Sequence, residues 1–178
     1  MKTHIGIATL ILIPALAFAH GGDKKKTATL TDSNIVAIAS AAHQAEIEAS
    51  QIAIGKSMSA EIKTFANMMV ADHTAALEKT KALGIPAEDN DDSKKLKSDA
   101  IGASERLKGL DGADFDKAYL EMMVSDHKNV LTALDKQLIP NAKNSALKQL
   151  LKDFRPKVAQ HLKHAEELAK KTTAPVMN

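Results

Sequence analysis

Histidine and methionine carry the distinctive chemistry of this chain. It has seven histidines, seven methionines and no cysteine. Thiolate metal ligands, disulfides and a cysteine nucleophile are therefore excluded, and the absence of a free thiol suits an oxidising compartment. Phe65-Ala-Asn-Met-Met-Val-Ala-Asp-His73 returns 54 residues later as Tyr119-Leu-Glu-Met-Met-Val-Ser-Asp-His127, and Leu77 is matched by Leu131. A third histidine, His161, falls in an apolar stripe near the end of the chain, and Glu46 falls in another near its start. Three neutral imidazoles and one carboxylate suit zinc, copper, iron or nickel. Glu46, His73, His127 and His161 are thus the candidate metal ligands. A hydrogen-bonded polar layer that holds helices in register, with no metal, is the alternative, because a buried imidazole needs a partner in either case.

Other pairings are weaker. Met69 with His73 and Met123 with His127 are each four residues apart on one helix face, a thioether–imidazole arrangement suited to cuprous copper but equally suited to core filling. His43 precedes Glu46 by three residues and His161 precedes His164 by three, spacings that allow chelation on one helix face. The di-iron pattern of Glu-x-x-His pairs is missing, since no Glu stands three residues before any His, and the residues next to His73 and His127 are aspartates. Adjacent helical residues point about 100° apart, which places Asp72 and Asp126 behind a ligand or at the surface. A metal-dependent oxidase is accordingly the weaker reading, and a non-enzymatic protein the stronger. The acidic run Ala87–Asp92 lacks the EF-hand spacing and reads as a solvated loop. No nucleophile–base pair, phosphate-binding glycine loop or basic aromatic patch occurs. A formal charge of +2 gives no argument for a nucleic-acid partner.

The elements that must position these residues are helices. The composition is rich in Ala, Leu, Lys and Glu and poor in aromatics. Thr31-Asp32-Ser33 offers N-cap chemistry for a first helix over 33–56, whose alanine-rich face permits close approach. A second helix over 60–83 ends at Gly84-Ile85-Pro86. Ser93 caps a short helix to Lys108. A third long helix covers 113–138, ended by Pro140-Asn141, and a fourth covers 143–171 with Pro156 as an expected kink. The long helices span about 36–43 Å each at ~1.5 Å per residue. Short links make the first and second helices, and the third and fourth, antiparallel neighbours. The ~30-residue link between the pairs can run back along the bundle. The expected fold is all-α: a ferritin-like four-helix bundle over 31–171, two antiparallel hairpins joined by a long crossover containing a short helix. In that topology Glu46, His73, His127 and His161 share the middle layer.

Residues 1–19 read as a secretory signal: Lys2 and His4, an apolar Ile5–Phe18 and a small-x-small site at Ala17-Phe18-Ala19. Fourteen apolar residues are too few for a spanning helix, which needs about 20. The expectation is cleavage after Ala19, a periplasmic or secreted protein with no stable membrane anchor, a disordered leader over 20–30 and a flexible tail over 172–178. The amphipathic faces could also serve a homo-oligomer, although four-helix packing already accounts for them.

The run FANMMVADHTAALEK, preceded by HQAEIEASQIAIGKS, resembles the exported bacterial ferritin-like family known as domain-of-unknown-function family 4142. The resemblance covers about residues 30–171, and Met-Val-x-Asp-His-Thr at 69–74 is its most specific part. It implies a four-helix bundle with motif positions at Glu46, Asp72, His73, His127, Pro156 and His161. The paired Met-Met-Val-x-Asp-His segments are also similar to a Met- and His-rich copper-associated ferritin-like family, with Asp-His where that family has a doubled histidine. Together these observations lead to the expectation of an exported helical bundle that binds a transition metal for storage, buffering or stress protection. The competing expectation is a non-enzymatic envelope interaction or stress-response protein whose histidine layer is structural.

Overall fold

The computed structural model describes residues 30–173. The expected signal over 1–19, nearly all of the 20–30 leader and the end of the 172–178 tail lie outside the described residues. Among the described residues the protein is all-α, with no strand. The helices are α1 (Asp32–Lys56), α2 (Ala60–Ala82), α3 (Asp91–Lys108), α4 (Gly112–Ala133), the three-residue α5 (Ile139–Asn141) and α6 (Ser145–Thr173). A π-helical turn, Leu134–Leu138, carries α4 into α5 without a break.

Local chemistry sets the boundaries. Thr31 and Asn34 form a capping box at the start of α1, each side chain satisfying the other's backbone N–H. Ser59 caps α2 through the N–H of Ile62. Gly84 ends that helix region with φ +67°, a left-handed conformation that glycine adopts without strain. The crossover helix starts three residues earlier than Ser93 would place it. Asn90 is its cap, and Ser93 sits at the third helical position, where its hydroxyl accepts from the Asn90 N–H. Pro140 does not end the helix: it lies in the α5 turn, where it has no N–H to donate back to the preceding π-helical turn, and the chain becomes extended only at Ala142. α6 continues through Pro156 to Thr173.

Hydrogen bonds at the helix ends give the directions. Asn34 Nδ2 donates to the Glu88 carbonyl, so the chain leaving α2 returns to the start of α1. Lys56 Nζ donates to the Lys108 carbonyl, so α3 ends where α1 ends. α3 therefore runs alongside α1 and in the same direction. α4 then descends parallel to α2. The backbone N–H groups of Lys143 and Asn144 donate to the Asp32 carboxylate at 2.8 and 2.9 Å, placing the start of α6 beside the start of α1. At the opposite end Lys171 meets Glu61, at 2.9 Å.

The closest helix pairs are α1 with α2 and α4 with α6, and α2 also packs on α6. The α1–α4 side is the most open, and α3 covers it, packing mainly on α1. Two apolar clusters fill the interior. One holds Phe65, Met69, Phe115, Tyr119, Met123 and Leu168; the other holds Ile35, Ile38, Leu134, Leu138, Leu147 and Val158. The long helices cross from one cluster to the other at their buried histidines.

Candidate metal centre

His43 and Glu46 come from α1, His73 from α2, His127 from α4 and His161 from α6. All five are buried, and His127 and His161 are each only 1% exposed. Each lies between apolar residues one turn away on the same helix: Met69 and Leu77 around His73, Met123 and Leu131 around His127, Val158 and Ala165 around His161. The spacing that buries the stripe therefore buries the imidazole. The rings meet in the middle, with centroids 6.0 Å apart for His73 and His127, 5.4 Å for His73 and His161, and 5.5 Å for His127 and His161.

Each ring is held from behind by one nitrogen. His127 Nδ1 donates to the Met123 carbonyl at 2.8 Å. His161 Nε2 donates to Asp72 Oδ2 at 2.9 Å. His73 Nδ1 pairs with His43 Nδ1 at 3.2 Å, one of the two donating. The second nitrogen of each ring, His73 Nε2, His127 Nε2 and His161 Nδ1, is buried and without a hydrogen-bond partner. Bonds to a carbonyl and a carboxylate fix the tautomers of His127 and His161, leaving Nε2 and Nδ1 respectively as bare acceptors. Donation by His73 to His43 does the same for His73 Nε2. One ligand atom from each of His73, His127 and His161 lies within 4.8 Å of the others. Leaving three buried acceptors unmatched costs about 1–3 kcal/mol each. Two nitrogens on one cation bonded at ~2.0–2.1 Å are at most about 4.2 Å apart, so rings at the outer limit of that spacing would have to draw together for one ion to satisfy all three.

Electrostatics keep the set in its ligand form. Burial lowers His43 and His127 to about 4, the latter also through the nearby His161. Burial, and then the neighbouring His43, His127 and His161, hold His73 well below its ordinary value. Burial also lowers His161, against the opposing pull of Asp72. All are neutral at pH 7, so no proton need leave before an ion binds. Burial pushes Asp72 up, but the His161 hydrogen bond and Lys157, 3.4 Å away, outweigh it and hold the carboxyl below its usual range. A carboxylate behind a ligating histidine orients the ring and raises its basicity.

The other candidates fall elsewhere. Glu46 is not one of the three residues whose ligand atoms converge. Its Oε1 lies 3.7 Å from His127 Nδ1, the nitrogen already bonded to Met123, and its Oε2 has no partner. Burial, and then Asp126, raise its carboxyl well above the usual range. His43 stands behind His73, with Phe154 edge-on to both rings at 4.9 and 5.5 Å. Met69 and Met123 are fully buried in the Phe65–Tyr119 cluster. His164 is half-buried against Phe65, at 5.1 Å, beside a surface groove lined by Glu61, Thr64 and Glu167. The pairing of His43 with His73 and the seat of Asp72 behind His161 depend on neighbours from other helices, which spacing alone does not reveal. Asn129 was missed as well; its buried Nδ2 has no partner and faces the same interior region.

The family described as "Domain of unknown function (DUF4142)" matches residues 17–168. The chain belongs to that family. No curated protein and no solved structure matches it. For this DUF4142 chain the matched span takes in every residue of the histidine cluster together with Glu46 and Asp72. No described helix is long and apolar enough to cross a membrane.

Proposed function

We propose that this protein is an exported, ferritin-like bundle that holds one transition-metal ion on His73, His127 and His161, and that it serves to store or buffer the metal or to protect against stress. The observation that carries the reading is that one ligand nitrogen from each of three buried histidines lies within 4.8 Å of the others, and that each ring keeps one buried nitrogen without a hydrogen-bond partner. Three neutral nitrogen donors favour zinc or copper, with iron and nickel as further candidates, and leave a coordination position open. Glu46 stands beside His127 as the nearest carboxylate to that set. The parallel course of α2 and α4 supports the ferritin-like arrangement, and the Lys2–Ala19 pattern supports export. Elemental analysis of purified mature protein, with calorimetric titration of the metal-free form by Zn, Cu, Fe and Ni, tests the binding. One equivalent bound and a raised Tm are expected. Absence of metal together with no thermal shift sinks the reading.

The second reading, a non-enzymatic envelope interaction or stress-response protein, draws on the same layer. The His161–Asp72 bond and the His43–His73 pair join different helices, depend on their register and lie between the two apolar clusters. Under it, replacing His73 and His127 alters stability and leaves metal content at background.

A further inference from the structure

Beside the histidines lies a cavity of about 70 Å³. It is lined by residues of α1, α2, α3, α4, the π-helical turn and α6. Leu96 of the crossover helix and Leu134 and Leu138 of the π-helical turn form part of its wall. Most of the lining is aliphatic. The polar part is confined to one face, made by His43, Glu46, His73, Asp126, His127 and Asn129. On that face Glu46 Oε2 and Asn129 Nδ2 are buried without partners, one an oxygen and the other an N–H donor. An apolar cavity of ~150 Å³ takes up benzene or xenon, and a single water needs only ~10–15 Å³. The space here therefore admits a body of about three to five heavy atoms and excludes sugars and nucleotides.

We propose that this cavity is a binding site for a small neutral organic molecule with an aliphatic body and one polar end. The body lies against Leu134, Leu138 and Val158, and the polar end meets Glu46 and Asn129 at the His73–His127 face. No Lys or Arg lines the cavity, so an anion buried there would find no counter-charge. The aliphatic lining gives an organic cation's charge too few partners away from that face. The proposal stands with or without an ion on the histidines. Metal content is measured separately, so its failure is distinct from failure of the metal reading.

The test is an NMR titration of the mature full-length protein with 2-propanol, acetate and isopropylammonium as probes, alongside xenon pressurisation. 2-Propanol is expected to shift the His73 and His127 ring resonances and the Leu134 and Leu138 methyls saturably, and to displace xenon from the same methyls. Acetate and isopropylammonium should give no saturable shift at tenfold higher concentration. Ala133→Leu fills the lining and should abolish the 2-propanol response; Ala42→Leu is the alternative if that variant does not fold. Competition with xenon in the unmodified protein needs neither. Xenon uptake without 2-propanol binding would reduce the cavity to a packing void and overturn the proposal. So would equal binding of either ion, or no response to any probe.

Discussion

The two copies of Met-Met-Val-x-Asp-His are alike in sequence and unlike in surroundings. Their histidines both point inward, and both are buried. Their aspartates diverge. Asp72 faces α6, where it accepts from His161 and lies 3.4 Å from Lys157; its side chain is 27% exposed and its carboxyl is held below the usual range against the cost of burial. Asp126 faces the side covered by the crossover helix. Burial, and then Asp99 of α3, raise it to about 7. The aromatics diverge too: Tyr119 shares a hydrogen bond with Ser50 at 2.9 Å, whereas Phe65 packs edge-on against His164. A repeated motif thus fixes which face a side chain occupies, while the neighbouring helix decides its electrostatic role.

The largest expected effect falls where the copies agree. His73→Ala and His127→Ala should each weaken metal binding by more than about 100-fold, and His164→Ala should leave it unchanged, as calorimetry would show. Unequal losses at His73 and His127 would break the equivalence of the two copies. The next effect separates the aspartates. Asp72→Asn removes the carboxylate behind His161 and should cost about 10–100-fold in metal affinity, while Asp126→Asn should change it by less than about threefold. Equal losses would mean that the two aspartates act alike.

A third measurement concerns the stability of the metal-free protein against pH. Folded Asp126 keeps its proton up to about pH 7, whereas in the unfolded chain it ionises near its ordinary value. The folded state therefore holds the extra proton between these values, and stability is lost as pH rises through about 7. Asp126→Asn should stabilise the protein by about 1–3 kcal/mol at pH 8, with the gain vanishing below about pH 4. Chemical denaturation at the two pH values checks this, and a gain that persists at pH 4 would contradict the assignment. The smallest effect lies at the aromatics. Tyr119→Phe leaves the buried Ser50 hydroxyl unpaired and should cost about 1 kcal/mol, read as a lower denaturation midpoint.

Much of this was legible in the sequence. Apolar spacing and cap residues located the helices to within a few residues, because those signals are local. The three histidines were recognisable because each interrupts an apolar stripe at helical spacing. Glu46 shared the same spacing and burial, but periodicity cannot tell which side of an imidazole a carboxylate will approach; here it lies nearer the nitrogen that Met123 already occupies. The contrast between Asp72 and Asp126 was equally invisible. Nothing in the repeat says that one copy borders α6 and the other the crossover helix. The π-helical turn left no sequence mark either: the stretch around Leu134 reads as ordinary helix.

Asp32 has a consequence for how the chain assembles. Its carboxylate holds two backbone N–H groups 111 and 112 residues further on, while Asn34, in the same turn, holds the Glu88 carbonyl. One turn of helix near the start of the described chain thus receives both of the distant links that reach that end of the bundle. A nascent chain can form α1 and α2 as a hairpin from nearby residues, but this junction stays open until the last helix arrives. Closing it is a long-range step whose loop entropy is met late, so the end of the bundle at Asp32 is expected to gain protection from hydrogen exchange after the hairpins themselves.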